Sequence, residues 1–157
     1  MQIRALASAD RQRVEAILNA VGNFNASEIK IALELIDSTL ANPQSPDYLI
    51  FVLEDDRRIV QGYVCFGPTP LTDYTYDFYW MAVDPRRQRR GFGRKLIGFV
   101  EQEVQRRGGK LLVLETSSME SYQRTVRIYR QRGYEQLVQI KDFYRKGDDK
   151  IIFVKRF

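Results

Sequence analysis

Two glycines and a run of basic residues lie side by side in the stretch VDPRRQRRGFGRKL, from Val83 to Leu96, where six of fourteen residues are Lys or Arg. Gly91 and Gly93 have no Cβ atom, so an anion can approach the main chain closely there. The N-terminus of a helix presents unpaired N–H groups and a partial positive charge, and phosphate binds readily to such ends. The stretch therefore favours binding of a diphosphate.

Other kinds of site share parts of this pattern. The nucleoside-triphosphate loop G-x-x-x-x-G-K-[ST] is absent, and the dinucleotide fingerprint G-x-G-x-x-G fails because Leu96 replaces its last glycine. The letters RGFG match the opening of an RNA-recognition-motif signature, but they continue as RKLI instead of the aromatic residues that stack on bases. A basic loop that only caps a helix stays open as an alternative.

Few side chains are available for acid–base or metal chemistry. The chain has no histidine and one cysteine, Cys65, so a general base must be Asp, Glu, Tyr, Lys, a backbone carbonyl or a water molecule. A zinc site needs three or four Cys, His or carboxylate ligands in one place, and we expect no metal. Cys65 lies in a predicted strand, and we expect it to be part of the core.

Composition limits the class of protein. A length of 157 residues, 44% apolar and 29% charged, predicts one soluble globular domain, 1–157. The chain has no apolar run long enough to span a membrane, and its N-terminus lacks the apolar core of a signal peptide, so we expect a cytoplasmic protein. The net charge of +5 favours acidic partners such as phosphorylated cofactors, nucleic acid or membrane surfaces without choosing among them.

The elements that must position the glycine loop follow from hydrophobic periodicity. Their order is β-α-α-β-β-β-α-β-α-β-β, which predicts an α/β fold with a mixed sheet. Asp10 is predicted to cap the first helix, Asn25 with Glu28 the second, and Ser117 with Glu120 the fourth. Strands are predicted at 1–6, 48–53, 59–66, 74–83, 110–116, 135–144 and 150–155, and helices at 10–21, 26–40, 91–107 and 117–132.

The glycine loop lies inside a strand–loop–helix–strand unit. The strand 74–83, YTYDFYWMAV, is apolar at nearly every position, so we expect burial on both faces, with Asp77 as its one charge. The following helix has Leu96, Ile97, Val100 and Val104 as its predicted inner face. Because a crossover helix joins strands that run in the same direction, the strand 110–116 is predicted to lie parallel to 74–83.

Two motifs resemble one family. The stretch YWMAVDPRRQRRGFGRKLIGFVEQE resembles the central motif of the GNAT superfamily of acyl-CoA-dependent N-acetyltransferases, Gln/Arg-x-x-Gly-x-Gly/Ala, with Gln88, Gly91 and Gly93 at its positions. The later stretch YRQRGYE resembles the family's Tyr-x-x-x-Gly-Phe and starts at Tyr129. The resemblance covers about residues 74–135 and implies a central mixed sheet of six to seven strands flanked by about four helices.

The resemblance also implies acetyl-CoA as cosubstrate. Main-chain N–H groups from Arg89 to Arg94 would hold its pyrophosphate, and the backbone of Met81 and Val83 would pair with the pantetheine amides. The residues assigned to cofactor binding in this way are Met81, Val83, Gln88, Arg89, Arg90, Gly91, Phe92, Gly93, Arg94 and Lys95.

The implied reaction is direct acetyl transfer to a primary amine of a small molecule, a peptide N-terminus or a lysine, without an acyl-enzyme. Tyr129 is the candidate general acid, with ordinary aromatic packing as the alternative. The N–H group of Val83 is the candidate oxyanion donor. Asp77, at a position where some members have a glutamate, and Glu115 in the next strand are candidate bases; Asp77 could instead cap its strand or pair with an arginine.

Two other functions stay open. The protein could bind acetyl-CoA without transferring the acetyl group, as a sensor or partner module. The segment Arg86–Arg107 could bind nucleic acid through its charge, although we expect no specific nucleic-acid partner and no membrane. A homodimer stays open as well.

Overall fold

Seven strands and four α-helices follow one another in the computed structural model, which describes residues 1–157. Their order is the order predicted from the sequence. No helix has both the length and the apolar character that crossing a bilayer requires. The strands are β1 (Gln2–Ala5), β2 (Leu49–Glu54), β3 (Val60–Pro68), β4 (Thr75–Val83), β5 (Leu111–Ser117), β6 (Glu135–Arg145) and β7 (Asp148–Arg156), and the helices are α1 (Arg11–Val21), α2 (Ala26–Ala41), α3 (Phe92–Arg106) and α4 (Gln123–Gln131).

The strands form one mixed sheet, hydrogen-bonded in the order β1-β2-β3-β4-β5-β7-β6. β4 and β5 are parallel, from Thr75 opposite Leu111 to Phe78 opposite Leu114. The pairs β1–β2, β2–β3, β5–β7 and β6–β7 are antiparallel. The predicted fold class and the parallel pairing across the crossover helix are therefore confirmed.

Contacts divide the chain into two compact units. The first contains Met1–Pro68 and Tyr79–Gln102, and the second contains Thr69–Phe78 and Glu103–Phe157. Both β4 and α3 contribute residues to each unit. The single domain 1–157 stays a prediction.

In the first unit, α1 and α2 contribute to a core shared with β2 and β3. Apolar residues recur at helical spacing in both helices, so each helix has one apolar face that must be buried. The core cluster consists of Val14, Ile17, Leu18, Ala32, Ile36, Ile50, Val52, Val60, Tyr63, Cys65 and Ala82. The prediction that Cys65 is part of the core is confirmed.

The two predicted caps in this unit differ in outcome. The capping box of α2 is confirmed, because the Glu28 N–H donates to Asn25 Oδ1 at 2.9 Å and the Asn25 N–H donates to Glu28 Oε2 at 2.7 Å. The Asp10 cap is wrong. Asp10 precedes α1 but caps none of its amides; its carboxylate accepts from the Ala7 N–H at 2.8 Å and binds the Arg4 guanidinium.

A glycine in β3 lets α3 and β4 approach closely. A Cβ atom on Gly62 would lie 2.8 Å from the Ala82 carbonyl oxygen and 3.1 Å from Leu96 Cδ1. Real Cβ atoms do not come so near a backbone oxygen, so only glycine fits without a shift of β4. The predicted inner face of α3 is confirmed: Leu96, Ile97, Val100 and Val104 are fully buried.

The expected two-sided burial of β4 is wrong in part. Phe78 and Ala82 are buried, whereas Tyr79 is 37% exposed and the remaining residues are half-buried. Apolar residues at nearly every position are typical of a central strand that is buried on both faces. A large aromatic side chain, however, can bury one edge of its ring and leave the other edge exposed to solvent. The Tyr79 ring packs edge-on against Tyr48 at a centroid distance of 5.4 Å.

In the second unit, α4 lies between β5 and β6 in the sequence and contributes Val126 and Tyr129 to the buried residues. The predicted capping box at Ser117 and Glu120 is wrong. β5 continues through Ser117, whose hydroxyl donates to the Asp148 carboxylate and accepts from the Met119 N–H at 3.0 Å. α4 then begins only at Gln123, after a 3-10 turn at Glu120–Tyr122.

An ionic cluster ties β1 to the start of α1 and to β2. Arg4 donates to both carboxylate oxygens of Asp10 at 2.6 and 2.9 Å and to Glu54 at 2.8 Å. Both carboxylates are buried. The hydrogen bonds from Arg4 hold the pKa of Asp10 below its usual range.

Arg4→Gln is expected to lower the free energy of unfolding by about 2 kcal/mol at pH 7, because it leaves two buried carboxylates without their cation. A lowered pKa in the folded state means that Asp10 contributes stability above about pH 4, and that this contribution is lost as the pH falls. Urea denaturation measures the free energy of unfolding of both proteins. The difference in this free energy between variant and wild type should become smaller as the pH is lowered.

Arg11→Gln is the control for this prediction, since Arg11 pairs with Asp37 and Glu15 and all three side chains are more than one third exposed. Exposed pairs contribute little, so its effect on the free energy of unfolding should be small. A stability difference for Arg4→Gln that stayed constant down to pH 3 would contradict the assignment of Asp10.

Candidate functional site

The turn from β4 into α3 contains the basic glycine loop, and it begins at a buried carboxylate. Pro85 cannot donate to a sheet, so the strand ends before it. Asp84 then caps the 3-10 turn Pro85–Arg87, with its Oδ1 accepting from the Arg86 N–H at 2.9 Å. The Asp84 N–H donates to the Gln61 carbonyl of β3 at 2.8 Å. The loop thus starts from a fixed point on the sheet.

Two residues of the loop have left-handed backbone conformations. Gly91 has a φ of +80°, and Arg89 has a φ of +63° although it is not glycine. Gln88 before them has a φ of −62°. Turns in which the sign of φ alternates bring successive N–H groups to one side and form concave anion sites. A left-handed arginine costs about 1–2 kcal/mol, and such strain is typical of functional loops.

The first turn of α3 follows directly. The first bond inside the helix runs from the Lys95 N–H to the Gly91 carbonyl at 3.0 Å, so the amides of Phe92 and Gly93 precede the helical ladder. Phe92 is buried and anchors this end. A Cβ atom on Gly93 would meet only Met81 Cε, at 4.0 Å. Glycine in a helix is less stable than alanine by about 1 kcal/mol, so neither packing nor helix stability explains a glycine at this position.

The basic side chains of the loop fall into two groups. Arg86 binds Asp84, and Arg87 lies 3.8 Å from the Asp55 carboxylate. Arg89 and Arg90 are exposed and have no carboxylate partner. In the sequence the four arginines look equivalent. In the structure, only Arg89 and Arg90 among them have a charge that no carboxylate neutralises.

One edge of β4 leaves main-chain amides available. β4 pairs with β5 only from Thr75 to Phe78. Because the Asp84 N–H points towards β3, the N–H groups of Val83 and Met81 in the extended strand point to the other edge. An extended ligand can pair with such an edge as an added strand does.

In the second unit, Tyr129 on α4 lies in an aromatic cluster. It is 7% exposed, and its ring centroid lies 5.4 Å from that of Tyr134 and 5.9 Å from that of Phe153. Burial, with a smaller contribution from Tyr122, raises the pKa of Tyr129 above its usual value. The phenol is therefore protonated at neutral pH.

The two candidate bases project from the same face of the second unit's strands. Asp77 is opposite Val113 in the parallel pair, and Glu115 follows Val113 by two residues. Asp77 is half-buried, and its Oδ2 accepts from the Thr69 hydroxyl at 2.7 Å. Glu115 is exposed and forms an ion pair with Lys150.

Sequence reasoning missed two residues of the loop's support, Asp84 and Arg13. Asp before Pro at the end of a strand is a cap signal that could have identified Asp84. Arg13 binds Asp84 from a distance of 71 residues along the chain, which no local pattern reveals. No group of three or more Cys, Asp or Glu side chains suited to a metal ion occurs in residues 1–157.

Comparison with known proteins agrees with this geometry. The sequence model of the acetyltransferase (GNAT) domain family matches residues 46–136, more than half of the chain. The chain belongs to the GNAT acetyltransferase family.

Similar proteins span most of the chain. A GNAT-family structure from Desulfovibrio desulfuricans is 39% identical, covers 99% of this chain and 98% of its own, and has a TM-score of 0.91. The S-(2-succino)cysteine N-acetyltransferase of Bacillus subtilis is 24% identical over 78% of this chain and 76% of its own. An acetyltransferase from Salmonella typhimurium, solved with acetyl-CoA, is 21% identical, covers 99% of this chain and 92% of its own, and has a TM-score of 0.76.

Cys65 is expected to be unreactive in the folded protein. It is 1% exposed, and burial raises the pKa of its thiol to about 12, so about one thiol in 10⁴ is ionised at pH 8. A thiol reagent such as dithionitrobenzoate should titrate one thiol after denaturation and none before it on the same timescale. If the thiol reacted with the reagent at the same rate in the native and the denatured protein, the burial of Cys65 would be contradicted.

Proposed function

We propose that this GNAT-family protein transfers an acetyl group from acetyl-CoA directly to a primary amine. The observation that carries the proposal is the β4–α3 turn, where left-handed Arg89 and Gly91 and the open side of Gly93 leave main-chain amides exposed at the start of a helix. That arrangement suits a diphosphate, which acetyl-CoA contains.

Diphosphate binding is assigned to the main-chain amides of the loop and to the side chains beside them. Arg89 and Arg90 supply charge because no carboxylate neutralises them, whereas Arg86 and Arg87 are already paired. The proposed cofactor-binding residues are Met81, Val83, Gln88, Arg89, Arg90, Gly91, Phe92, Gly93, Arg94 and Lys95.

The backbone of Met81 and Val83 is assigned to the pantetheine arm. Their amides point to the edge of β4 that lacks a strand partner, so an extended chain carrying amide groups can pair with them. The Val83 N–H is also the proposed donor to the oxyanion that forms when the thioester carbonyl is attacked.

The proposed transfer forms one bond and breaks one. The neutral amine nitrogen attacks the thioester carbonyl carbon, an N–C bond forms, and the C–S bond breaks. The amine's proton passes to a base, for which Asp77 and Glu115 are the proposed candidates. The leaving thiolate takes a proton from the hydroxyl of Tyr129, whose burial keeps it protonated at neutral pH.

The acceptor is proposed only as a primary amine. The Bacillus subtilis relative is named for a modified amino acid, so a panel should contain S-substituted cysteines, other amino acids, peptides with different N-termini and lysine peptides. Release of coenzyme A thiol with one of these amines tests transfer. Binding of acetyl-CoA with no thiol release across the panel would favour a sensor or partner module instead.

Gly91→Glu is expected to abolish coenzyme A binding, because it places a carboxylate where the diphosphate would lie. Gly108→Glu is the matched control, because Gly108 lies just after the C-terminal end of α3. Both glycines have a φ near +80°, and neither has an atom within 4 Å of an added Cβ. Each substitution should lower stability by about 1 kcal/mol, but only Gly91→Glu should lose binding by calorimetry. Equal affinity in the two variants would refute the diphosphate assignment.

Tyr129→Phe is expected to lower kcat by about 10²-fold, with little change in the KM for acetyl-CoA, since it removes one proton donor and keeps the ring. Tyr134→Phe is the control, because it removes a hydroxyl from the same aromatic cluster. Steady-state rates of thiol release provide the comparison. If both variants turn over at the wild-type rate, Tyr129 has only a packing role.

A further inference from the structure

The buried carboxylate of Asp84 is completely enclosed by donors. Asp84 is 2% exposed. Its Oδ1 accepts from the Arg86 N–H at 2.9 Å and from Arg86 Nε at 3.1 Å, and its Oδ2 accepts from Arg86 Nη2 at 2.9 Å and from Arg13 Nη2. A carboxylate held by two guanidinium groups does not repel a phosphate nearby as a free one would.

Arg13 connects three elements at this point. It lies on α1, and its Nε donates to the Val60 carbonyl of β3 at 2.9 Å while its Nη2 donates to Asp84 after β4. The Asp84 N–H donates to the neighbouring Gln61 carbonyl. A planar guanidinium can hold two acceptors in fixed directions, which a lysine ammonium does less well.

The loop beyond Asp84 needs such an anchor. Asp84 also accepts from the Arg87 N–H through its carbonyl at 2.8 Å, so the anchored segment reaches to within two residues of the strained Arg89. Left-handed conformations of residues other than glycine persist only where the surrounding structure over-determines them. On one side of Arg89 that structure is the Asp84 cluster, and on the other it is the buried start of α3.

We propose that Arg13 and Asp84 are positioning residues that hold the β4–α3 turn in the conformation that binds the diphosphate of acetyl-CoA. This inference rests on the proposed function, and it adds a residue of α1 to the binding of the cosubstrate. The proposal gives Arg13 no contact with the cosubstrate, because its Nε and Nη2 are bound to protein acceptors.

The test compares Arg13→Gln with Arg4→Gln in the full chain. Arg4 also binds a buried aspartate in the first unit, but it lies in β1 and its hydrogen bonds go to Asp10, Glu54 and the Ala5 carbonyl. Arg13→Gln should raise the Kd for coenzyme A roughly tenfold by calorimetry, and Arg4→Gln should leave it unchanged although it lowers stability. With acetyl-CoA and an accepted amine, Arg13→Gln should raise KM in the same proportion as Kd, with kcat nearly unchanged.

Arg13→Lys is a second variant for the case in which Arg13→Gln does not fold. It keeps a positive charge near Asp84, so we expect it to fold. Its Kd for coenzyme A should lie between those of the wild type and Arg13→Gln. If Arg13→Gln and Arg13→Lys bind coenzyme A as tightly as the wild type, while Gly91→Glu does not bind it, the positioning role is wrong and the proposed function stands. If the wild type binds no coenzyme A, both are wrong.

Discussion

Main-chain amides that are fixed in place but not hydrogen-bonded within the protein are the constraint on which this molecule depends. The β4–α3 turn provides them at a price in local stability, about 1–2 kcal/mol for left-handed Arg89 and about 1 kcal/mol for glycine at position 93. The helix that follows compensates, since it fully buries Leu96, Ile97 and Val100, each of which contributes about 1.5–3 kcal/mol. Burial of this helix face therefore outweighs the local strain of the turn.

The charge around this turn is smaller than the sequence suggests. Arg86 and Arg87 are bound to Asp84 and Asp55. A uniformly basic surface would favour any polyanion, as nucleic-acid binding requires. With these two arginines neutralised, the free positive charge before Gly91 is that of Arg89 and Arg90, which suits a small phosphorylated ligand better than a long one.

Features set by neighbouring residues could be predicted from the sequence, and features set by distant partners could not. The inner face of α3 and the Asn25–Glu28 box depend on spacings of three or four residues, and both are confirmed. Asp10 and Ser117 have the residue types of helix caps, but Arg4 and Asp148 engage them instead. Arg13 escaped prediction for the same reason. The same holds for the candidate site. The glycine spacing in the sequence identifies the loop, whereas the ion pairs next to the loop involve residues far apart in the sequence and are seen only in the structure.

Because the chain has no histidine, proton transfer in the proposed reaction must use other groups. Burial raises the pKa of the Cys65 thiol to about 12, which makes it a poor nucleophile, and burial also raises the pKa of Tyr129. The same physical effect thus makes the only thiol a poor covalent carrier and keeps the phenol protonated, as the proposed proton donor must be. Direct attack of the amine on the thioester, with the leaving thiolate protonated by a phenol, needs neither a histidine nor a reactive cysteine. The composition of the chain and the burial of these two residues therefore both fit the proposed one-step transfer.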